Sequence, residues 1–242
     1  MSQLDIFSLT GRVALIPGGG GGIGSALAVA LAGVGARVAV AGRTLDAGEA
    51  TVEADCDRMV RQTIERFGRV DIMVNAVGGG AGKALHPAEG YPRSDWDWIM
   101  ELNVRSTLLP TQAAVRAMIE AGQGGVVLNI SSVRANLGIN AGYSAYVAAK
   151  GAISSLTRQW ATEWARHGIR VNAIMPTFVD TPQVAMLLED PAFKAGIVNR
   201  IPLGRVGETD DLVGPAIFLC SDAASFVTGQ VLGIDGGLTA TQ

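Results

Sequence analysis

The chain has 242 residues, 48% of them hydrophobic, with a mean hydropathy of +0.30, enough to bury the core of one large α/β domain or two small ones. Its net charge of −3 leaves no basic footprint for nucleic acid. The two cysteines, Cys56 and Cys220, are far apart and lack metal-ligand spacing, so a disulfide scaffold is excluded, no metal site is expected, and a reducing compartment fits.

The first residues carry no basic-then-apolar signal pattern, and no apolar run approaches the roughly 18 residues that would span a bilayer. A cytoplasmic protein with a small-molecule substrate, and with neither membrane nor nucleic acid as partner, is the expectation. Residues 12–17 read as a short buried strand, 18–24 as a glycine turn and the run from Ser25 as a helix. That order is the setting a phosphate-binding loop needs, because glycines let backbone N–H groups approach a pyrophosphate and a helix N-terminus adds partial positive charge. The spacing is Gly18-x-x-x-Gly22-x-Gly24 rather than Gly-x-Gly-x-x-Gly. A flexible linker is the competing reading, which the flanking strand and helix disfavour.

Residues 36–41 form a second expected strand. About 20 positions after the glycine loop an NAD site would place a carboxylate on the ribose 2′-hydroxyl. Here Gly42 and Arg43 stand there, followed by Thr44. A guanidinium pairs with a 2′-phosphate that a carboxylate would repel, so NADP(H) is favoured over NAD(H), although a solvated surface arginine fits the same position. Only 26 residues (44–69) lie between Arg43 and Val70, which directly precedes the next strand at 71–75. A doubly wound sheet normally fits a helix, an edge strand and a second helix there, which need roughly 40–45 residues. Residues 53–68 read as the second helix, with Met59, Val60, Ile64 and Phe67 apolar, and 46–52 as the start of the first. This edge of the sheet is therefore expected to be shortened or missing.

After Asn75, Ala76 and Gly78 comes a glycine-rich loop at the carboxyl end of a strand, where open α/β sheets bind ligands. His86 in that loop could serve as a base, but a simply exposed histidine fits better. Ser94 or Asp95 is expected to cap a long helix, which carries the polar Asn103 in an apolar stretch. Residues 125–132 read as a strand ending in Ser131 and Ser132, and 168–176 as a further strand. Residues 177–200 form an apolar, helix-like excursion, a lid if it covers the strand ends. Residues 210–219 read as a helix and 229–237 as a last strand and turn.

Tyr146 and Lys150 stand at i and i+4 on one helix face, roughly 6 Å apart at Cβ. An ammonium beside a phenol favours the phenolate, which lowers the tyrosine pKa and makes the group usable as an acid or base near neutral pH. Taken alone, the pair equally describes solvated neighbours. Ser132, 14 residues earlier at a strand end, can face the same crevice.

Together these motifs closely resemble the short-chain dehydrogenase/reductase family, from about Leu9 to Gly237. The resemblance implies a single Rossmann-like, doubly wound α/β domain over residues 1–242, with a substrate lid at about 177–200. It implies a cofactor site of Gly18, Gly21, Gly22, Ile23, Gly24, Arg43, Thr44, Asn75, Ala76, Gly78, Pro176, Val179 and Thr181, joined by Tyr146 and Lys150. Asn103, Ser132, Tyr146 and Lys150 match the family's catalytic tetrad in order and spacing. The implied reaction is hydride transfer between NADP(H) and a ketone or secondary alcohol. In it Tyr146 moves the proton, Lys150 lowers the tyrosine pKa and holds the ribose, Ser132 binds the substrate oxygen, and Asn103 holds a water that links Lys150 to solvent. A homotetramer packed through the long helices, with Ala148, Ala149 and Ala152 on a close-packing face, also follows from the resemblance. Pro17, Ala76, Val77 and Thr177 depart from the family's usual residues. The alternatives are an idle NADP(H)-binding sensor and a reductase of carrier-bound 3-oxoacyl substrates. The latter would dock its carrier on Arg134, Lys194, Arg200 and Arg205. Asn136, Asn140 and His86 are candidates for binding polyol hydroxyls.

Overall fold

The computed structural model describes residues 4–42 and 50–241. Strands β1 (Val13–Pro17), β2 (Arg37–Ala41), β3 (Ile72–Asn75), β4 (Gly125–Ile130), β5 (Ile169–Pro176) and β6 (Val231–Ile234) form one parallel sheet in the order β2-β1-β3-β4-β5-β6. The chain steps outward from β1 to β2, then crosses back to β3 and continues the other way. That reversal opens a crevice beyond the carboxyl ends of β1 and β3, where a ligand can lie against both halves. Among the described residues no strand pairs with the outer edge of β2, as the short spacing after Arg43 implies. Of the helix start expected at 46–52, residues 46–49 lie outside the described residues. Ala50 and Thr51 turn, and the extended Val52 leads into α2 (Glu53–Phe67).

A sheet covered on both faces must be apolar on both, which is why β1, β3, β4 and β5 are nearly continuous hydrophobic runs. Successive side chains serve opposite layers. Ala14 and Ile16 of β1 pack with Leu27 and Leu31 of α1 (Gly22–Gly33) and with Ala216 and Leu219 near the C-terminus. Leu15 between them packs on the other side with Met59 and Val60 of α2, Ala114 and Met118 of the long fourth helix, and Trp160. Gly68, at φ +85°, ends α2 by returning its N–H to the Ile64 carbonyl at 2.7 Å.

Two buried polar devices fix the strands. Asp71 accepts from the Val13 N–H at 2.8 Å and from the Arg69 guanidinium, which ties the start of β1 to β3. Deeper in, Asn75 Nδ2 donates to Thr111 Oγ1 at 2.7 Å and to Asn129 Oδ1 at 2.8 Å, and Asn129 Nδ2 donates to Thr157 Oγ1 at 2.9 Å.

Several expectations are corrected. The third helix, α3 (Arg93–Met100), starts one residue behind Pro92, so neither Ser94 nor Asp95 caps it. Proline at that boundary presets the backbone for helix entry, and Asp95 is bonded to His86 Nε2 at 2.5 Å instead. A π-helical turn over Glu101–Arg105 joins α3 to α4 (Ser106–Ala121). The 177–200 excursion is helical only in α6 (Ala185–Leu188) and α7 (Pro191–Val198), the latter capped by Asp190 Oδ1 on the Ala192 and Phe193 N–H groups. In α5 (Ser144–Trp164), Ala149 is buried in a cluster with Ile99 and Ala84 of its own chain. The last helix, α8, spans Val213–Cys220. Among the described residues no helix is long and apolar enough to cross a membrane.

Candidate active site

Three elements converge at the carboxyl end of the sheet. Leaving β4, the chain gives Ser131 and Ser132, α5 brings Tyr146 and Lys150 within its first two turns, and the π-helical turn presents Asn103. Ser131 Oγ bonds the Lys150 carbonyl at 3.2 Å and Ser154 Oγ at 2.7 Å, so the neighbour of Ser132 holds α5 against the strand end. Ser132 Oγ accepts from the Arg134 N–H at 3.2 Å and also interacts with the Tyr146 phenol. Lys150 is 3% exposed, and its Nζ donates to the Ile130 carbonyl at 2.9 Å.

The electrostatics differ from the sequence expectation. Removal from water pushes the Tyr146 phenol up to about 12. The Ser132 hydroxyl and the Arg134 charge pull the other way, while Tyr143 adds to the rise. Lys150 does not depress it. Burial brings the lysine's own value down to about 8, because the same dry surroundings disfavour both charged forms. A fully protonated phenol and a reluctant ammonium are what these residues present at neutral pH.

Asn103 is fully buried and has its side chain committed. Its Oδ1 accepts from the Gly79 N–H at 2.9 Å, and its Nδ2 donates to the carbonyls of Gly79 and Ile99, both at 3.0 Å. Its own carbonyl accepts from Thr107 Oγ1 at 2.9 Å. The π-helical turn sets the side chain out of the helical register so that it can reach across. Asn103 thereby pins the loop Gly78–Gly80, whose three glycines all have positive φ. A Cβ at Gly78 would fall 2.9 Å from Asn103 Oδ1 and 3.3 Å from Lys150 Nζ, so this backbone runs directly beside both.

The glycine loop fits a dinucleotide. Gly18, at φ +80°, lies so close to the next strand's exit that a Cβ would sit 2.6 Å from the Ala76 carbonyl carbon. A Cβ on Gly24 would overlap the Gly18 carbonyl, and one on Gly22 would come 2.8 Å from Thr181 Cβ. The loop is therefore folded tightly on itself, and it meets the lid at Thr181. Gly21 stands at the N-cap of α1 with no side chain to bond the first-turn N–H groups of Gly22, Ile23 and Gly24, which leaves them open to an anion. Ala76 donates its N–H to Pro17, and Val179 forms a lone parallel bridge with Gly207. Pro176 ends β5, and the next residue, Thr177, has a buried Oγ1 with no hydrogen-bond partner. That orphaned hydroxyl, one residue beyond the end of β5, is free to bond a polar ligand group. The sequence marks the position only as a departure from the family, a hydroxyl in place of a glycine. The Asn75 side chain points into the core, where its Nδ2 is occupied and its Oδ1 has no partner. Arg43 and Thr44 lie outside the described residues.

Other candidates fall elsewhere. His86 is not simply exposed: it pairs with Asp95, meets the edge of Tyr91, and lines a cleft of about 690 Å³ with Glu89, Asn140 and Tyr143. Of the four cations proposed for carrier docking, Arg134 is buried, and Arg205 is clamped through both Nη groups to the Asp211 carboxylate at 2.7 Å.

The chain is similar to known proteins over nearly its whole length. The family model described as enoyl-(acyl carrier protein) reductase matches residues 19–239. A gluconate 5-dehydrogenase of Gluconobacter oxydans is 39% identical over 260 aligned positions that cover all of both chains. Those positions exceed the 242 residues here by 18, so this chain lacks residues that its relative has. A 5-keto-D-gluconate 5-reductase of Escherichia coli is 34% identical over 97% of this chain and 98% of its own. Among solved structures, a gluconate 5-dehydrogenase from Burkholderia cenocepacia in complex with NADP and tartrate superposes with a TM-score of 0.87, at 34% identity and 99% coverage of each chain.

Proposed function

The chain belongs to the short-chain dehydrogenase/reductase family, whose enzymes act on CH–OH and C=O groups, and from that premise we propose that it interconverts a ketone and a secondary alcohol on a sugar acid of the gluconate type, using NADP(H). The observation that carries the reading is the convergence of Tyr146, Ser132 and Lys150 beside a glycine loop built for a pyrophosphate. The substrate class rests on the likeness to gluconate 5-dehydrogenases.

When bound, the dinucleotide would supply or accept the hydride. Gly18, Gly21, Gly22, Ile23 and Gly24 hold its pyrophosphate, and Arg43 with Thr44 its 2′-phosphate. Ala76, Gly78 and the end of β3 at Asn75 line the adenosine side. Pro176, Thr177, Val179 and Thr181 hold the nicotinamide, with the segment 177–200 as lid of a single domain, and Lys150 binds the ribose hydroxyls. In reduction Tyr146 Oη gives its proton to the nascent alkoxide; in oxidation it takes the hydroxyl proton. Ser132 Oγ bonds the substrate oxygen and steadies its developing charge. A phenol held near 12 is protonated at neutral pH, the form that donates in reduction. Asn103 acts as a positioning residue by fixing the Gly78–Gly80 backbone.

Titration of the purified protein with NADPH and NADH, followed by assay of NADPH-dependent reduction of 5-keto-D-gluconate, tests the reading. NADPH should bind at least tenfold more tightly, with Arg43→Ala erasing that preference. Binding of neither nucleotide would sink the enzyme reading and leave an idle fold.

A further inference from the structure

Arg134 is 5% exposed, yet among the described residues it has no carboxylate partner. One Nη1–H reaches the Gly138 carbonyl at a long 3.3 Å, and among the described residues the guanidinium makes no other hydrogen bond. A buried cation without a counter-charge is costly, and arginine cannot relieve that cost by losing its proton. The strain is compounded, because the nearby charge of Arg200, at the end of the lid, repels it. The phenols of Tyr143 and Tyr146 also act on Arg134, and Ser132, which accepts the Arg134 N–H, bonds the Tyr146 phenol, so Arg134 belongs to the surroundings of the reacting tyrosine. Its backbone N–H is bonded to Ser132 Oγ, which sets it two residues from the group proposed to hold the substrate oxygen.

We propose that Arg134, assisted by Arg200, is the subsite that binds the carboxylate of the substrate and selects hydroxy and keto acids over neutral polyols. This deepens the proposed function and rests on its placing of the substrate beside Ser132 and Tyr146. The planar fork of a guanidinium matches a carboxylate with two parallel hydrogen bonds, and a dry site strengthens each. The glycine loop is served by another part of the chain, beyond β1, so the anion in question belongs to the substrate rather than to the dinucleotide pyrophosphate. Arg200 lies on the lid side, so closure over an acidic substrate would bring the second cation to the same charge.

The test compares gluconate with gluconamide, its neutral counterpart, in NADP⁺-dependent oxidation. Wild type should prefer the acid at least tenfold in kcat/KM. Arg134→Gln should collapse the ratio towards one, Arg134→Lys should keep part of it, and Arg200→Gln, at an exposed position, should lower it severalfold. An unchanged ratio in Arg134→Gln, or wild type without preference for the acid, overturns the inference while the dehydrogenase reading stands. If wild type oxidises neither compound, the gluconate reading fails. The subsite is then judged by tartrate binding to the NADP⁺-loaded protein, where tenfold weaker binding in Arg134→Gln upholds it and equal binding overturns it.

Discussion

Lys150 Nζ stands 5.7 Å from the centre of the Tyr146 ring, yet it donates to the Ile130 carbonyl rather than to the phenol oxygen. The two are partners in position before they are partners in proton transfer. In the free protein, burial governs both.

The first prediction concerns the phenol. A tyrosine raised to about 12 should contribute no tyrosinate absorbance below pH 10, so the ultraviolet difference between wild type and Tyr146→Phe should stay flat to that pH. Ser132→Ala removes the interaction that pulls the value down and should move the onset higher still. Tyr146→Phe should also lose turnover by several orders of magnitude while binding NADPH normally. A Tyr146→Phe variant with wild-type-like rates would remove the tyrosine from the chemistry.

Lys150 should cost stability. Its folded value, about 8, lies below the ordinary 10.5, so the folded state disfavours the protonated form. The penalty is full below pH 8 and fades as pH rises from 8 to 10.5, where the unfolded chain holds the extra proton. Lys150→Met fills similar volume without the charge. It should therefore be inactive yet more stable at pH 7 by about 1–4 kcal/mol. Urea unfolding at pH 7 and pH 9.5 checks both parts, and the advantage should shrink at the higher pH.

Gly24→Ala should destabilise the fold even without nucleotide. The added methyl meets the Gly18 carbonyl, a backbone atom that cannot swing aside, and overpacking of this kind costs about 1–3 kcal/mol. Gly22→Ala meets Thr181 Cβ at 2.8 Å, a looser contact than the overlap with the Gly18 carbonyl, so it should cost less stability. Paired denaturation curves that rank the two the other way would contradict this account of the loop.

Asn103→Ala removes one acceptor and one donor from the Gly79 backbone. Leaving those buried groups unpaired should cost about 1–3 kcal/mol and raise the KM for nucleotide more than it lowers kcat. Equal effects on both parameters would point to direct participation in the reaction.

The alternation of strand and helix was plain in the sequence because each buried strand is a short unbroken apolar run between glycines. The missing edge was legible from the count of residues after Arg43. Asn103, Ser132, Tyr146 and Lys150 were picked out by family resemblance, and the structure brings the four to one end of the sheet. What could not be read was the balance of forces on them. Spacing places Lys150 beside Tyr146 but cannot reveal that both are dry, and dryness reverses the expected pKa shift. Arg134 stands in the sequence as one of four scattered cations for docking, which needs it exposed; its burial depends on how the chain folds around it and has no local signal. Pro92 displaced the expected cap because its fixed φ outweighs a side-chain hydrogen bond at Ser94.

The Asn75–Asn129–Thr157 chain has a bearing on how the molecule assembles itself. Asn75 and Asn129 are direct register partners on β3 and β4. An apolar pair of strands could slide by two residues and still bury its side chains, but here a slip would strand two carboxamides in the dry interior, at about 1–3 kcal/mol for each unpaired group. The pair thus acts as an alignment key during folding, rejecting misregistered sheets before they settle. Since Ser131 and Ser132 follow two and three residues after Asn129, the notch that keys the strands also decides where the site will be.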